Sequence, residues 1–472
     1  MALTPEAQAL AVIVVGVVVL WITEALPLAV TALLGAVACV TAGVAPAREV
    51  FAPFADPLIF LFIGSFILAE AVRIHGLDKR LAFAVLSVPG VGERPGRILA
   101  AVAVVCVLAS AFLSNTCTTA MMLAIVSGII TAVEEAGTTS ERSPRPAFAT
   151  GLFLCVAFAS SIGGLATPIG TPPNLIGLGF IRNQLGVDVT FPGWCAVGVP
   201  IVVLLTTFTV LLLGRMFPAG VDRLDGVRQF VAAQRAGLGA WTTGQKSTAL
   251  AFAVTITLWI LPGAVLVVGG NEDPLAVLLK ARLPEGVAAL IGAILLFILP
   301  GDEPAGHSKR GLNRRALRWT EARIDWGIVL LYGGGMALGS LCFSTGLARA
   351  LGESIQGLVP TGPWGGTVLI LLAALVAVAT SEFTSNTASA NIVVPVAIAL
   401  GRATETDPLV AALAATFAAS LGFMMPVSTP CNAIVYGSGR IPLRSMMAAG
   451  SLLDLVGVVT ITGAMILLSR LG

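Results

Sequence analysis

Apolar runs close to twenty residues long recur along this chain from one end to the other, and they leave few folds open. A helix needs about 20 such residues to cross the hydrocarbon core of a bilayer. Candidate spans or broken spans lie near 6–23, 27–45, 57–73, 147–185, 194–214, 247–269, 285–300, 325–343, 407–439 and 446–469. Two more apolar blocks, 97–133 and 365–401, each carry a polar break at the centre. A soluble core could not hide so many. Charged residues make up 11% of the 472, against about 25% in an ordinary soluble domain. The expected class is an all-α polytopic membrane protein, with the lipid bilayer as its surroundings.

Other classes lose their usual parts. Net charge is +2 with no long basic tract, so no nucleic-acid partner is expected. Seven cysteines are scattered through apolar segments without a C-x-x-C pair, which suits small core residues better than a disulfide framework or zinc site. Two histidines, His75 and His307, are too few for a metal centre. No H-E-x-x-H, Walker A or G-x-S-x-G sequence is present, so neither an enzyme nor an ATP-driven pump is expected. The N-terminal run lacks a basic flank and an A-x-A site, and reads as a retained span.

Basic residues predict orientation. Arg73, Lys79 and Arg80 follow one span; Arg94 and Arg97 precede block 97–133, and Arg142 and Arg145 follow it. Arg215, Arg223, Arg228 and Arg235 lie in one polar loop; His307, Lys309, Arg310, Arg314, Arg315, Arg318 and Arg323 lie in another. All are placed in the cytoplasm. Block 97–133, basic on both flanks, should then enter and leave on one side as a re-entrant hairpin. Block 365–401 has little flanking positive charge and suits entry from the opposite side. The alternative is one long kinked span per block, since re-entrant backbone needs protein cover.

The chain also repeats itself. Ser110-Ala-Phe112-Leu-Ser114-Asn115-Thr116-Cys-Thr118 matches Ser381-Glu-Phe383-Thr-Ser385-Asn386-Thr387-Ala-Ser389. Downstream, Pro168-Ile-Gly170-Thr171-Pro172-Pro-Asn174-Leu-Ile176 matches Pro426-Val-Ser428-Thr429-Pro430-Cys-Asn432-Ala-Ile434. A weaker echo pairs Gly76-Leu77 with Gly346-Leu347, each opening a short amphipathic helix. The predicted plan is a first repeat over 1–216, a cytoplasmic connection over 217–246 and a second repeat, inverted, over 247–472. Inverted repeats with a site where broken segments meet are the plan of many secondary transporters.

The repeated residues suit ions. A helix interrupted in the bilayer leaves free N–H groups at one end and free carbonyls at the other. The former suit an anion; carbonyls, amide and hydroxyl oxygens suit a hard cation such as Na⁺. Pro172 and Pro430 cannot continue a backbone ladder. The nearest Arg to Asn115 along the chain, Arg97 and Arg142, would be roughly 27 Å and 40 Å away along a helix. Without a fixed cation nearby, a buried dianion needs co-bound cations. This points to cation-coupled import.

At these motifs the chain resembles the divalent anion/sodium symporter family of dicarboxylate, citrate and sulfate carriers. The paired S-N-T motifs carry the resemblance, together with PIGTPPN, PVSTPCN, the run Trp21-Ile-Thr-Glu24-Ala-Leu-Pro27, and Ser420 to Val435, SLGFMMPVSTPCNAIV. The resemblance implies one sodium site at Ser110, Ser114, Asn115 and Gly170, and another at Ser381, Thr384, Asn386 and Ser428. It implies substrate carboxylates held by Asn115, Thr116, Asn386 and Thr387, with Thr171, Pro172, Thr429 and Pro430 nearby. It further implies a homodimer with a scaffold domain and a moving, elevator-like transport domain, in the inner membrane of a bacterium. Family members usually carry one more span before the W-I-T-E-A-L-P region. The expectation here is therefore ten full or broken spans plus two hairpins, with both termini outside.

C4-dicarboxylates are the expected cargo; a sulfate or citrate carrier, or an exchanger, of the same fold is the alternative, and an intramembrane enzyme or structural subunit a remote one. Glu24 is expected to hydrogen-bond structurally. Glu382 could tune the second cation site or handle a proton. Gly163-Gly164 and Gly333-Gly334-Gly335 are expected to be helix-contact points.

Overall fold

The computed structural model describes residues 3–137, 145–270, 273–302, 314–355, 357, 359–360, 362, 364–404 and 406–471. Arg142, His307, Lys309 and Arg310 lie outside the described residues. Among the described residues the chain is helical, apart from one isolated bridge between Pro300 and Arg315. Nine of the described helices are long and apolar enough to cross a membrane. A bent pair, Pro274–Arg282 with Glu285–Ile298 at 64°, makes a tenth span if counted as one. The apolar pattern anticipates only the second arm of that pair.

The helices start where the side chains allow it. Thr4, Asp56, Thr190, Asp273 and Asp407 each accept a backbone N–H at a helix start, and each is followed by proline within two residues. The cap satisfies an orphan donor, and the proline has no N–H to lose. Thr242 and Gln245 form a reciprocal capping box ahead of Thr243–Gly269. Trp21-Ile-Thr-Glu24-Ala-Leu-Pro27 is a tight corner. Glu24 turns left-handed there (φ 49°) and is exposed, and the Trp21 indole donates to Leu28 O at 3.2 Å. The corner is held by Trp21; Glu24 contributes its backbone conformation.

Both re-entrant blocks are hairpins of two helices. The first is Pro95–Ser110 with Asn115–Gly137, the second Gly365–Phe383 with Asn386–Ala403. Each T-P span is broken as expected. Pro146–Gly163 resumes as Pro172–Phe180, and Pro408–Ala418 resumes as Pro430–Tyr436. The short helices Leu77–Leu86 and Leu347–Ile355 follow Gly76 and Gly346. The polar connection after Met216 carries a helix of its own, Val227–Gly237.

Two groups of helices can be distinguished by their most extensive packing, within one continuous core. In one, Pro57–His75 lies against Glu285–Ile298, and a Cβ on Gly64 would come within 2.6 Å of Ala289 Cβ. Trp326–Ser344 lies against Leu28–Thr41 through Gly334 and Ala32. In the other, the hairpins, the broken spans, Phe191–Met216 and Leu443–Leu471 pack on one another. Small residues let backbones approach where no hydrophobic effect drives helices together. The broken span Pro146–Gly163 is central, with 83% of its residues buried, against 22% for Pro5–Thr23 and 17% for Thr243–Leu266. Apolar side chains such as Val12, Val203, Leu204, Val459 and Leu467 remain exposed on the outer helices, facing lipid.

The basic loops gather on one face. Arg80 donates to the carbonyls of Leu238, Gly239 and Ala240, and its guanidinium lies over the Trp241 ring. Gly92 lies against Arg228, His75 meets Ala316 O at 2.7 Å, and Arg145 N donates to Ala219 O. The end of the first hairpin joins this face, where Glu134 pairs with Arg440 at 3.0 Å. The end of the second hairpin lies elsewhere, with Arg402 donating to Gln184 O.

Candidate functional site

Each hairpin turns at its S-N-T motif, and each turn faces the break of the T-P span in its own half. In the first half, Ser110 ends one helix and Asn115 begins the next. Asn115 Oδ1 lies 2.5 Å from Ser110 Oγ, and the same position is 3.2 Å from Gly170 O and 3.3 Å from Ser160 O. An amide alone would turn its nitrogen toward those three oxygens. So placed, the Asn115 nitrogen lies within hydrogen-bonding reach of Ser110 Oγ, Gly170 O and Ser160 O and ties the hairpin turn to the break. Thr167 Oγ1 donates to Ala111 O, tying the break to the hairpin turn.

The second half repeats this with its own residues. Ser381 Oγ donates to Asn386 Oδ1 at 2.7 Å and lies 3.0 Å from Ala419 O. Asn386 Nδ2 donates to Ser420 O at 3.3 Å. Ser428 Oγ donates within its own loop, to Gly422 O at 2.8 Å and Met425 O at 2.7 Å. Gly422 has φ +142°, and a Cβ there would lie 3.0 Å from Ser381 Oγ.

One asparagine staples each loop. Asn174 Nδ2 donates to the carbonyls ten and seven residues upstream, Gly164 O at 2.9 Å and Thr167 O at 2.8 Å. Asn432 Nδ2 does the same at the same spacing, to Gly422 O at 3.0 Å and Met425 O at 2.9 Å. These bonds hold irregular backbone at membrane depth, where water is absent. The P-x-x-T-P-x-N repeat contained both residues, but their part as loop staples depends on the fold. Trp194 fixes the first loop from outside, donating to Leu165 O at 2.9 Å while stacking on Phe417 at 4.3 Å. Trp194→Phe keeps most of the stack and removes that bond. It is expected to cost about 1 kcal/mol, measurable as a lowered thermal unfolding midpoint.

Most of the expected site residues gather at the hairpin turn and break of their own half. Asn115, Thr116, Asn386 and Thr387 are half-buried at the hairpin tips; Thr171 and Thr429 are buried at the starts of the resumed helices, ahead of Pro172 and Pro430, and Thr429 Oγ1 accepts from Asn432 N. Thr384 is buried, but its hydroxyl bonds to Thr380 O at 2.8 Å. Ser114 is exposed, and its hydroxyl lies beside Cys117 rather than among the groups around the Asn115 amide. Gly163 is a helix contact, with Val107 Cα 2.7 Å from where its Cβ would stand. Gly164 instead makes room for Asn115, whose Oδ1 is 2.7 Å from the same hypothetical position. Gly333 and Gly334 lie against Phe54 and Ala32, and Gly335 against Asn391.

The two halves interlock. Pro430–Tyr436 packs on Asn115–Gly137 and Pro146–Gly163, while Pro172–Phe180 packs on Asn386–Ala403 and Pro408–Ala418. Each resumed helix thus lies against the other half's hairpin.

Acidic and basic residues also lie at the site; of these the sequence pointed to Glu382 but not to Asp454, Glu70 or Arg73. Glu382 is buried, and its carboxylate accepts from Met424 N at 2.8 Å and Met425 N at 3.0 Å, strapping the hairpin turn to the second break. Asp454, from the last helix, faces Phe423 N at 3.4 Å. The first half has Ala111 where the second has Glu382. Arg73 and Glu70, more than forty residues from Asn115 in sequence, lie close enough to Cys117 for their charges to act on it. Distance along the chain could not reveal this. Four cysteines are buried as expected, but Cys117 is exposed beside the first motif.

A cavity of about 230 Å³ lies where Thr243–Gly269 and the bent pair meet residues 178–192. It touches the first break at Pro168 but none of the S-N-T residues. The site is defined by converging polar groups instead.

A family model described as "Sodium:sulfate symporter transmembrane region" matches residues 1–469. Among curated proteins, the chain is 32% identical over 445 residues to the sodium-dependent dicarboxylate transporter SdcS of Staphylococcus saprophyticus subsp. saprophyticus, covering 93% of this chain and 82% of that one. It is 31% identical over 446 residues to the protein of the same name from Staphylococcus aureus (strain USA300), with the same coverage. Among solved structures, the fold is similar to the Alcanivorax borkumensis YdaH transporter, at TM-score 0.56 and 17% identity over 88% of this chain and 85% of that one. It is also similar to Neisseria gonorrhoeae MtrF, at TM-score 0.55 and 14% identity over 89% and 82%.

Proposed function

Because the chain belongs to the sodium:sulfate symporter transmembrane family, and is on that ground a multi-pass membrane transporter, we propose that it imports C4-dicarboxylates such as succinate by sodium-coupled alternating access. Its relatives SdcS carry sodium-dependent dicarboxylate transport in their names. Their genus supports placement in a bacterial cell membrane.

One observation carries the sodium part: each S-N-T turn gathers hydroxyl, amide and carbonyl groups onto the break of its own T-P span, with Ser110 Oγ, Gly170 O and Ser160 O around the Asn115 amide in the first half and Ser381 Oγ, Asn386 Oδ1 and Ala419 O together in the second. Sodium accepts hydroxyl, amide and carbonyl oxygens without demanding a carboxylate. The second sodium is assigned to Ser381, Asn386 and the 420–428 loop with Ser428. The substrate carboxylates are assigned to Asn115-Thr116 and Asn386-Thr387, whose half-buried side chains border accessible space. The cations offset the dianion; helix N-termini alone offer only about half a charge each.

The inverted-repeat reading of 1–216 and 247–472 is supported by the hairpins ending beside different partners, Arg440 for one and Gln184 for the other. A homodimer with a fixed scaffold and a moving site-bearing group follows by family likeness.

In proteoliposomes, labelled succinate should accumulate when sodium is high outside and should not when choline replaces it. Accumulation that ignores the sodium gradient, or counterflow in sodium-free buffer, would make the protein an exchanger. Sulfate and citrate as competitors decide the cargo: the proposal expects succinate to be displaced by malate or fumarate and little affected by sulfate.

A further inference from the structure

We infer that Arg73, a cation fixed outside the S-N-T and T-P motifs, draws the anionic substrate to the first motif on the basic face of the protein. The inference rests on the transport reading above. Arg73 lies near the end of Pro57–His75, two residues before His75. Its guanidinium is clamped by Glu70, Nε to Oε2 at 2.8 Å and Nη2 to Oε1 at 2.5 Å. Such a forked pair fixes direction as well as charge. Glu70 is buried, whereas 44% of the Arg73 side chain is exposed. Arg323 brings a second guanidinium to Glu70 at 3.7 Å. Glu70 and Asp78 are buried while Arg323 and part of Arg73 are exposed, so the cluster presents its positive side outward.

The cluster sits at the first hairpin turn. Ala109 and Leu113 of the turn pack with Val72, the residue before Arg73, and with Ala69 and Leu77. Phe112 meets Phe252 edge-on at 5.6 Å. Cys117, two residues past Asn115, is exposed and within the influence of Arg73, Glu70 and buried Asp78. The exposed thiol and the exposed part of the guanidinium therefore both belong to the neighbourhood of the first hairpin turn, which also carries Asn115 and Thr116.

Arg73 belongs to Pro57–His75, whose most extensive packing is on Glu285–Ile298 and Thr243–Gly269 rather than on the hairpins. When the site-bearing group shifts, the turn leaves Val72 and the charge is left behind. The motifs then remain neutral through the crossing, and the guanidinium acts only while the site is open to the basic face. A cation carried inside the site would instead hold the anion on both sides. Glu70 limits the attraction, so that release is not blocked.

Two measurements test this. In the first, dicarboxylate KM is measured from each face, in right-side-out and inside-out vesicles. Arg73→Gln should raise KM from the basic face about fivefold, the effect of one partly exposed charge. KM from the other face and the half-saturating sodium concentration should stay within about twofold. Arg73→Lys should restore most of the loss. An equal change on both faces, or none, overturns the inference.

The second measurement needs no transport. Cys117 is labelled with a negatively and a positively charged methanethiosulfonate, with Cys117→Ala as the blank. Arg73→Gln should lower the anionic-to-cationic rate ratio about fivefold. An unchanged ratio overturns the inference even in a variant too damaged to transport. Absence of dicarboxylate flux in the native protein would defeat the functional reading instead, and the labelling ratio would still report on Arg73.

Discussion

In sodium-driven uptake, Asn386→Ala is expected to weaken apparent sodium affinity by about 30- to 160-fold, the equivalent of 2–3 kcal/mol. Asn386 Oδ1 receives the Ser381 hydroxyl at 2.7 Å, and Nδ2 reaches Ser420 O at 3.3 Å. Alanine removes both bonds and leaves Ser420 O without that donor in a region closed to water. It also removes a neutral oxygen from the proposed cation site. At limiting sodium the flux should fall by a similar factor, and much of it should return at high sodium. Asn386→Asp separates the two roles. It keeps an oxygen in place and adds a negative charge, so sodium affinity should hold while dicarboxylate affinity drops. The matching pair at Asn115 should behave alike, because its amide lies among Ser110, Gly170 and Ser160. Uptake unchanged in both alanine variants would remove the S-N-T motifs from the site altogether.

Gly450→Ala tests the second break from behind. Gly450 is buried in Leu443–Leu471 with its Cα against the Phe423 carbonyl, and Met424 Cα stands 2.6 Å from where a Cβ would go. Those neighbours are backbone, and the loop that carries them is held by Glu382, Asp454 and Asn432. It cannot yield without moving Ser428 and Ser420. Overpacking of this kind costs about 1–3 kcal/mol. The variant should unfold several degrees lower, and its sodium-dependent flux should fall at least as much as its stability implies. Gly463→Ala is the control: it lies on the same helix with nothing within 4 Å of its added methyl. Equal behaviour of the two variants would show that the Gly450 contact is unimportant.

Much of the architecture was legible in the residues. Helices form from local hydrogen bonds, so apolar length, capping Thr and Asp, and helix-breaking proline mark their bounds within a few positions. Both hairpins and both broken spans fall where the paired motifs put them, because Asn115, Asn386, Pro172 and Pro430 each sit at a helix start that their own chemistry requires. The oxygen-rich character of the site follows for the same reason. The bent arm Pro274–Arg282 was missed because Lys280 and Arg282 break its apolar pattern.

What required the tertiary structure is whatever joins segments distant in sequence. Chain spacing puts the nearest cation to Asn115 far off; packing of Val72 on Leu113 brings Arg73 to the turn. Glu382 reads as an acid in an apolar segment until the break folds back and offers it two backbone N–H groups. The crossing of each resumed helix onto the other half depends on contacts such as Gly177 against Thr416, made between surfaces some 240 residues apart. Local propensity decides where a helix begins and ends, but it has no information about which neighbour that helix will meet. That choice is made by the fit of small and large side chains across interfaces, and it exists only once the whole chain is assembled.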